Sequence, residues 1–202
     1  MKNKWFIVIP SIIAIFIIVG VSSFYLGRFY RDTRPVMKVG EHDIASAEYD
    51  FFYYSYRMYY LSAYSSFFEY MGVDVNLPID DQIYEDGKTF RQKFTEETVN
   101  QIKETYALYD EGIKNGFEFD TGKALDSYMS DVNATCDAAN MTVDEYFKQA
   151  YGEKARPSLI KKYLKMGFYK AAYYDSLCEG SDVYEVNVRV NELKKSYQVT
   201  YY

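Results

Sequence analysis

The chain has 202 residues, of which 29 are acidic and 23 are basic, and its formal net charge is −6. This acidity argues against nucleic acid as a partner, because phosphate binding depends on Lys and Arg. The length leaves room for one membrane segment and one domain that can bury a core. Cys136 and Cys178 are the only cysteines, and their separation does not fit the usual zinc sites. A disulfide between them and two separate thiols are both compatible with the sequence.

The N-terminal part of the chain predicts a membrane anchor. Residues 5–26 carry no charged side chain, and a helix of this length spans the roughly 30 Å hydrocarbon core of a bilayer. We expect a short tail over residues 1–4 and an uncleaved signal anchor over residues 5–27, although a cleavable signal peptide is an alternative. The charges on the two sides are nearly balanced, so they do not determine the orientation.

Residues 28–35 predict a polar linker, and a small β-hairpin follows, with its turn at Gly40. Tyr and Phe then make up twelve of residues 46–71. Many of them recur at alternating steps of four and three, which predicts a helix that Ser46 caps. The stripe expected to face the core is Tyr49, Tyr53, Tyr56, Tyr60, Ala63, Phe67 and Tyr70.

Other aromatic residues of this helix lie outside the stripe, so one core contact cannot cover them. Tyrosine combines a large contact area with a hydroxyl group that tolerates water, which suits surfaces that bind varied peptides. A helical core that uses many aromatic residues is the alternative interpretation. The candidate peptide-binding residues are Phe51, Tyr54, Met58, Tyr59 and Phe68.

Capping signals predict the remaining helices. Residues 74–87 are predicted to form a loop, and a helix should follow from about Thr89 to Lys114. Asp120 begins a helix through Ala139, a capping box at Thr142 begins a short helix that ends at Gly152, and Pro157 begins a helix that Gly180 ends. Residues 181–195 fit either a strand or a helix, and Tyr197–Tyr202 resembles a strand.

The sequence predicts no catalytic, cofactor-binding or metal-binding residue. His42 is the only histidine, lies in the predicted hairpin turn and is expected to be exposed. Nothing places a serine or cysteine nucleophile beside it. The acidic pairs lie in a loop or at helix starts, where acids are expected to cap helices or to face solvent. Neither a glycine-rich phosphate loop nor an EF-hand spacing is present.

Several short stretches carry a resemblance to a known family. They are Val39-Gly40-Glu41-His42-Asp43-Ile44 before Ala47-Glu48-Tyr49, then Asp86-Gly87-Lys88-Thr89-Phe90, Ala107-Leu108-Tyr109 before Gly116-Phe117, and Met141-Thr142-Val143-Asp144-Glu145-Tyr146 before Tyr151-Gly152. Their order resembles the N-terminal chaperone domain of the SurA/PrsA/PpiD type of parvulin foldases, which are extracytoplasmic chaperones of bacteria. The resemblance covers about residues 36–202.

This resemblance implies a mainly α fold with one transmembrane helix, a helical domain over residues 36–180, and a small hairpin that pairs with a C-terminal strand. It also implies a single-pass protein of the cell membrane, with the N-terminus cytoplasmic and the bulk of the chain outside. Family members with isomerase activity continue into a parvulin body. Here residues 181–202 lead towards that body and the chain ends at Tyr202, so we do not expect an enzyme.

The expected function is binding of unfolded or exported polypeptides through aromatic surfaces, without a cofactor. Two alternatives stay open, namely a scaffold for one secretion or envelope partner and a truncated peptidyl-prolyl isomerase. The sequence also leaves open the clients, self-association into a homo-oligomer, the state of the cysteines and the cleavage of the anchor.

Overall fold

The computed structural model describes residues 27–202. The chain falls into two compact units, residues 1–34 and Pro35–Tyr202. In the first unit, residues 27–33 are helical, whereas the sequence predicts a linker over residues 28–35. This helix ends before Arg34, because a residue that precedes proline disfavours the helical conformation.

No helix within residues 27–202 is both long enough and apolar enough to cross a membrane, since every α-helix in this part includes charged residues. This finding contradicts the expected fold with one transmembrane helix and the expected single-pass location in the cell membrane. The predicted tail over residues 1–4 and anchor over residues 5–27 lie outside the described residues, except for Gly27. The corrected fold class is mainly helical with small sheets.

The second unit contains six α-helices and five short strands. In chain order they are β1 (Pro35–Val39), β2 (His42–Ala45), α1 (Ser46–Tyr64), β3 (Ile83–Glu85), β4 (Lys88–Thr89), α2 (Phe90–Lys114), α3 (Thr121–Ala139), α4 (Val143–Tyr151), α5 (Pro157–Cys178), α6 (Val183–Lys195) and β5 (Val199–Tyr201). Two short 3-10 turns, Ser65–Phe67 and Ile79–Asp81, lie between α1 and β3.

A three-stranded antiparallel sheet joins the beginning and the end of this unit. The strand order is β2-β1-β5, so the hairpin pairs with the C-terminal strand. Met37, Val39 and Ile44 on the sheet are buried. Gly40 allows the hairpin turn, because its φ is +58° and a Cβ atom there would lie 2.7 Å from Cδ1 of Tyr197.

Most helix boundaries follow the caps that the sequence shows. Thr89 and Thr142 form capping boxes, Asp120 caps α3, and Pro157 lies in the first turn of α5. α1 differs, because β2 leads directly into it and Ser46 is buried instead of acting as the cap.

Two other segments add to the sequence prediction. The predicted loop over residues 74–87 contains β3, which forms a two-stranded sheet with β4. The segment that fits a strand or a helix is α6, and its Val186 and Val190 are buried.

The core is organised along α2, which contributes to all three buried clusters of the unit. Phe90 and Phe94 belong to a cluster with the end of α1, Ile102 and Tyr106 belong to the largest cluster, and Leu108 belongs to a third cluster with α5 and α6. The aromatic helix α1 therefore packs along one part of a longer central helix.

Candidate functional site

The five predicted peptide-binding residues separate into a buried and an exposed group. Phe51 and Phe68 are each 7% exposed, and Tyr54 is half-buried. Met58 and Tyr59 are 49% and 62% exposed. Phe51 is covered because α4 and α5 pack against this side of α1, which a single helix pattern does not show. Two of the five side chains are therefore accessible to a partner.

The stripe predicted to face the core does so only over the first part of α1. Its first four members are buried or half-buried, and its last three are exposed. Phe67 and Tyr70 lie beyond the end of α1 at Tyr64, where a 3-10 turn begins, so the helical spacing no longer decides which of these two side chains turn inward. The exposed members are Ala63, Phe67 and Tyr70.

Seven large apolar side chains between residues 58 and 77 are each at least 41% exposed. Exposed apolar side chains that concentrate in one segment are typical of interaction sites. Five of the seven were not among the predicted candidates. Two of these five lie in the predicted loop, where their isolated apolar character between turn-forming residues is visible in the sequence. We call this set the aromatic surface, and it consists of Met58, Tyr59, Tyr64, Phe67, Tyr70, Val75 and Leu77.

A buried aromatic cluster supports the aromatic surface from below. The ring of Tyr60 lies 5.8 Å from that of Phe90 and 5.4 Å from that of Phe94, and it stacks on Tyr64 at 4.6 Å. Burial raises the pKa of Tyr60 and of Tyr56 to about 12, so both hydroxyl groups are protonated at neutral pH. The rings that lie beneath the aromatic surface are therefore uncharged and closely packed.

The loop that carries Val75 and Leu77 is fixed by hydrogen bonds of half-buried polar side chains. Asp80 accepts a hydrogen bond from the Tyr53 hydroxyl at 2.5 Å and from Nε of Arg57 at 3.0 Å. Gln82 bonds to the backbone N–H and C=O of Asp74, both at 2.8 Å. Because these bonds hold the loop against α1, its apolar side chains are exposed in a defined conformation.

The electrostatic setting of the aromatic surface is acidic. Residues 46–87 hold eight acidic residues and one basic residue, Arg57, which gives a net charge of −7. Of the eight acids, Glu48 is buried and three others pair with Arg57, Arg91 and Lys154. The negative charge near the aromatic surface therefore comes mainly from the exposed acids Glu69, Asp74, Glu85 and Asp86. This charge is electrostatically complementary to positively charged groups.

A polar pair is buried near the start of α1. The Tyr106 hydroxyl donates a 2.5 Å hydrogen bond to Oε1 of Glu48, which is 3% exposed. Burial raises the pKa of Glu48, although the bond from Tyr106 and the charges of Lys162 and His42 act in the opposite direction. Burial and the adjacent carboxylate also raise the pKa of Tyr106, which keeps this hydroxyl protonated and donating.

His42 belongs to the same region and is not a freely exposed turn residue. Its ring stacks on Tyr106 with a centroid distance of 4.1 Å, and its Nε2 lies 2.8 Å from Oδ2 of Asp110. The Tyr197 hydroxyl donates to the same oxygen at 2.7 Å. The sequence prediction was wrong here, because it does not show that α2 passes beside the hairpin.

The described residues show contacts for the acidic pairs that give them structural roles. Asp81, Glu96 and Glu97 pair with Arg91, Lys88 and Lys93, Asp144 pairs with Lys148, and Glu145 completes a capping box. Residues 27–202 contain no group of three His, Cys, Asp or Glu side chains that could hold a metal ion.

The two cysteines are free thiols. Cys136 is buried in the largest cluster, whereas Cys178 packs with the third cluster at the end of α5. The disulfide considered for Cys136 and Cys178 is therefore not formed in the structure, because the fold places the two side chains in different parts of the core.

Comparisons with protein families, with curated proteins and with solved structures give no match.

Proposed function

We propose that this protein binds extended polypeptide segments that contain apolar and basic residues, in the manner of a chaperone and without covalent chemistry. The observation that carries the proposal is the exposure of seven large apolar side chains between Met58 and Leu77 on a loop and helix end that are held in place. Tyr and Phe side chains lose little conformational entropy on binding and accept many different apolar partners.

The charge of the segment makes the proposed partner more specific. The exposed acids Glu69, Asp74, Glu85 and Asp86 disfavour acidic segments and attract basic ones. Unfolded polypeptides expose such mixed apolar and basic stretches. The resemblance of residues 36–202 to the chaperone domain of SurA/PrsA/PpiD-type foldases supports the same proposal.

Suppression of aggregation by the full chain tests the proposal. Light scattering of a chemically unfolded client should rise more slowly in the presence of the protein, and a fluorescent basic-apolar peptide should bind it. A variant with Tyr59→Ser, Phe67→Ser and Tyr70→Ser should lose most of both activities, because it removes three of the accessible anchors.

A matched control uses exposed apolar residues that lie outside the aromatic surface. Ile113, Val183 and Tyr184 are 56%, 54% and 75% exposed. Changing these three to Ser should leave aggregation suppression and peptide binding nearly unchanged. Equal losses in the two triple variants would show that general surface hydrophobicity, and not the aromatic surface, accounts for binding.

Crosslinking in cell extracts separates the proposal from the scaffold alternative. A chaperone-like protein should be crosslinked through residues of the aromatic surface to many unrelated polypeptides. One stoichiometric folded partner would instead identify a scaffold. A prolyl isomerisation assay with the same preparation tests the third alternative, and we expect no catalysis.

A further inference from the structure

A pocket of about 770 Å³ lies between α2, α3 and α5, next to the start of β2. This volume is within the range of pockets that bind small molecules, which is about 300–1,000 Å³. Lys161, Lys162 and Lys165 line it together with apolar and aromatic side chains. We call it the lysine pocket, and its apolar lining includes Tyr109, Phe119, Leu125, Met166 and Tyr169.

The three lysines concentrate positive charge in an otherwise acidic chain. Within the described residues, none of the three lies within ion-pair distance of a carboxylate, whereas Lys154 and Lys170 nearby on the chain pair at 3.0 and 2.7 Å. The charge of Lys162 acts on the pKa of Glu48, but this buried carboxylate accepts its hydrogen bond from Tyr106. An anion in the lysine pocket would therefore offset charges that the protein itself leaves unpaired.

The aromatic walls of the lysine pocket are fixed by the protein. The Tyr169 hydroxyl donates a hydrogen bond to the backbone oxygen of Phe117 at 2.9 Å, and the Tyr106 hydroxyl donates one to Glu48. The Tyr169 ring also packs closely on Gly112, where a Cβ atom would lie 2.8 Å from Cε1. Because these hydroxyl groups are occupied, the walls offer ring surface to a ligand.

We infer that the lysine pocket binds a carboxylate that is attached to an aromatic or aliphatic group. The ammonium groups of the three lysines bind the carboxylate, and the ring surfaces cover the apolar body. A free aromatic acid and the C-terminal residue of a polypeptide both have this chemistry.

The lysine pocket is separate from the aromatic surface. Tyr109 in the pocket and Phe94 beneath the aromatic surface lie on the same helix, roughly 22 Å apart at about 1.5 Å per residue. The inference therefore does not depend on the proposed function, and the two can fail independently.

Calorimetric titration of the full chain with 2-naphthoate tests the inference. The neutral analogue 2-naphthalenemethanol has the same ring system without the charge. We expect naphthoate to bind at least about tenfold more tightly than the alcohol, with an affinity that falls as salt is added.

A tripeptide with a C-terminal phenylalanine, used with a free carboxylate and as the amide, distinguishes a polypeptide terminus from a free acid as the natural ligand. Binding of the free-carboxylate peptide identifies a polypeptide terminus, whereas binding of naphthoate alone identifies a free acid.

A triple variant with Lys161→Met, Lys162→Met and Lys165→Met removes the charges and retains apolar stems of similar length. Its affinity for naphthoate should be weaker by about tenfold or more. A second triple variant with Lys88→Met, Lys114→Met and Lys195→Met makes the same change in net charge away from the lysine pocket. This control should bind naphthoate like the unmodified chain, and circular dichroism should show that both variants are folded.

Three results would overturn the inference: no binding of any carboxylate probe, equal binding of naphthoate and the alcohol, or unchanged affinity in the pocket variant. Aggregation suppression measured on the same variants keeps the two proposals distinct. A pocket variant that loses naphthoate and still suppresses aggregation supports both the inference and the proposed function.

Discussion

Glu48 makes the stability of the protein depend on pH. It is almost fully buried at the start of α1, and its pKa is raised mainly by burial. A carboxyl group with a raised pKa binds its proton more tightly in the folded state than in the unfolded state. Its contribution to the free energy of unfolding is therefore fully present below the ordinary glutamate pKa of about 4.3 and is lost as the pH rises through the folded pKa.

The variant Glu48→Gln should remove this pH-dependent loss, because the amide keeps an oxygen that accepts from the Tyr106 hydroxyl and has no charge to desolvate. The variant's free energy of unfolding minus that of the unmodified chain should increase as the pH rises from about 4.3. At higher pH this difference should become constant. Urea unfolding at several pH values between 4 and 8 measures this. Glu69→Gln, at an exposed position, serves as the control and should show no such trend. Parallel curves for Glu48→Gln and the unmodified chain would contradict the assignment.

At the scale of elements, the segment from the end of α1 to β3 depends on Asp80 for its conformation. Asp80 connects the loop to two residues of α1, Tyr53 and Arg57, and the side chains of Arg57 and Asp80 are only 26% and 15% exposed. Polar bonds at such sites cost more when broken than exposed ones, because the remaining partners lose their hydration without compensation.

Asp80→Ala should therefore destabilise the protein by about 1–3 kcal/mol and make the loop cleavable by protease between Gly72 and Gly87. Peptide binding at the aromatic surface should weaken several-fold, since Val75 and Leu77 lose their fixed positions. Limited proteolysis and peptide titration measure the two effects. The neighbouring Asp81→Ala is a matched control, because Asp81 pairs with Arg91 at an exposed site where the side chains are 67% and 58% exposed, and it should change neither. Equal proteolysis of the two variants would show that Asp80 does not hold the loop.

The helix caps and the candidate residues show why the sequence predicted some elements and not others. The bounds of α2 to α5 follow from local signals such as Thr89, Asp120 and Pro157, which act within one turn of the chain. The burial of Phe51 and Phe68 depends on elements distant in sequence, so helical periodicity alone could not separate them from the exposed Met58 and Tyr59. The lysine pocket was missed for the same reason, since its lysines become a site only when α5 faces α2 and α3.

For the whole molecule, the passage of α2 through all three buried clusters determines how the second unit unfolds. Phe94 and Leu108 are fully buried on α2, in the cluster beneath the aromatic surface and in the cluster with α6. The sheet connects the two ends of the unit through the pairing of β1 with β5. A helix cannot lose the packing at one end without weakening the element on which the other clusters depend.

We therefore expect one cooperative unfolding transition and a shared response to damage at either end of α2. Phe94→Ala should cost about 3–5 kcal/mol and Leu108→Ala about 2–5 kcal/mol. Each should lower the protection of amides in both α1 and α6 by its full cost, as measured by hydrogen exchange and by urea unfolding. Ile113→Ala, on the same helix but 56% exposed, should have little effect.

If Phe94→Ala lowered protection only around α1 and Leu108→Ala only around α6, the clusters would unfold independently, and ligand binding at the lysine pocket could not stabilise the aromatic surface. If the response is shared, naphthoate bound in the pocket should also slow exchange in α1, because a ligand that binds only the folded state stabilises the whole cooperative unit.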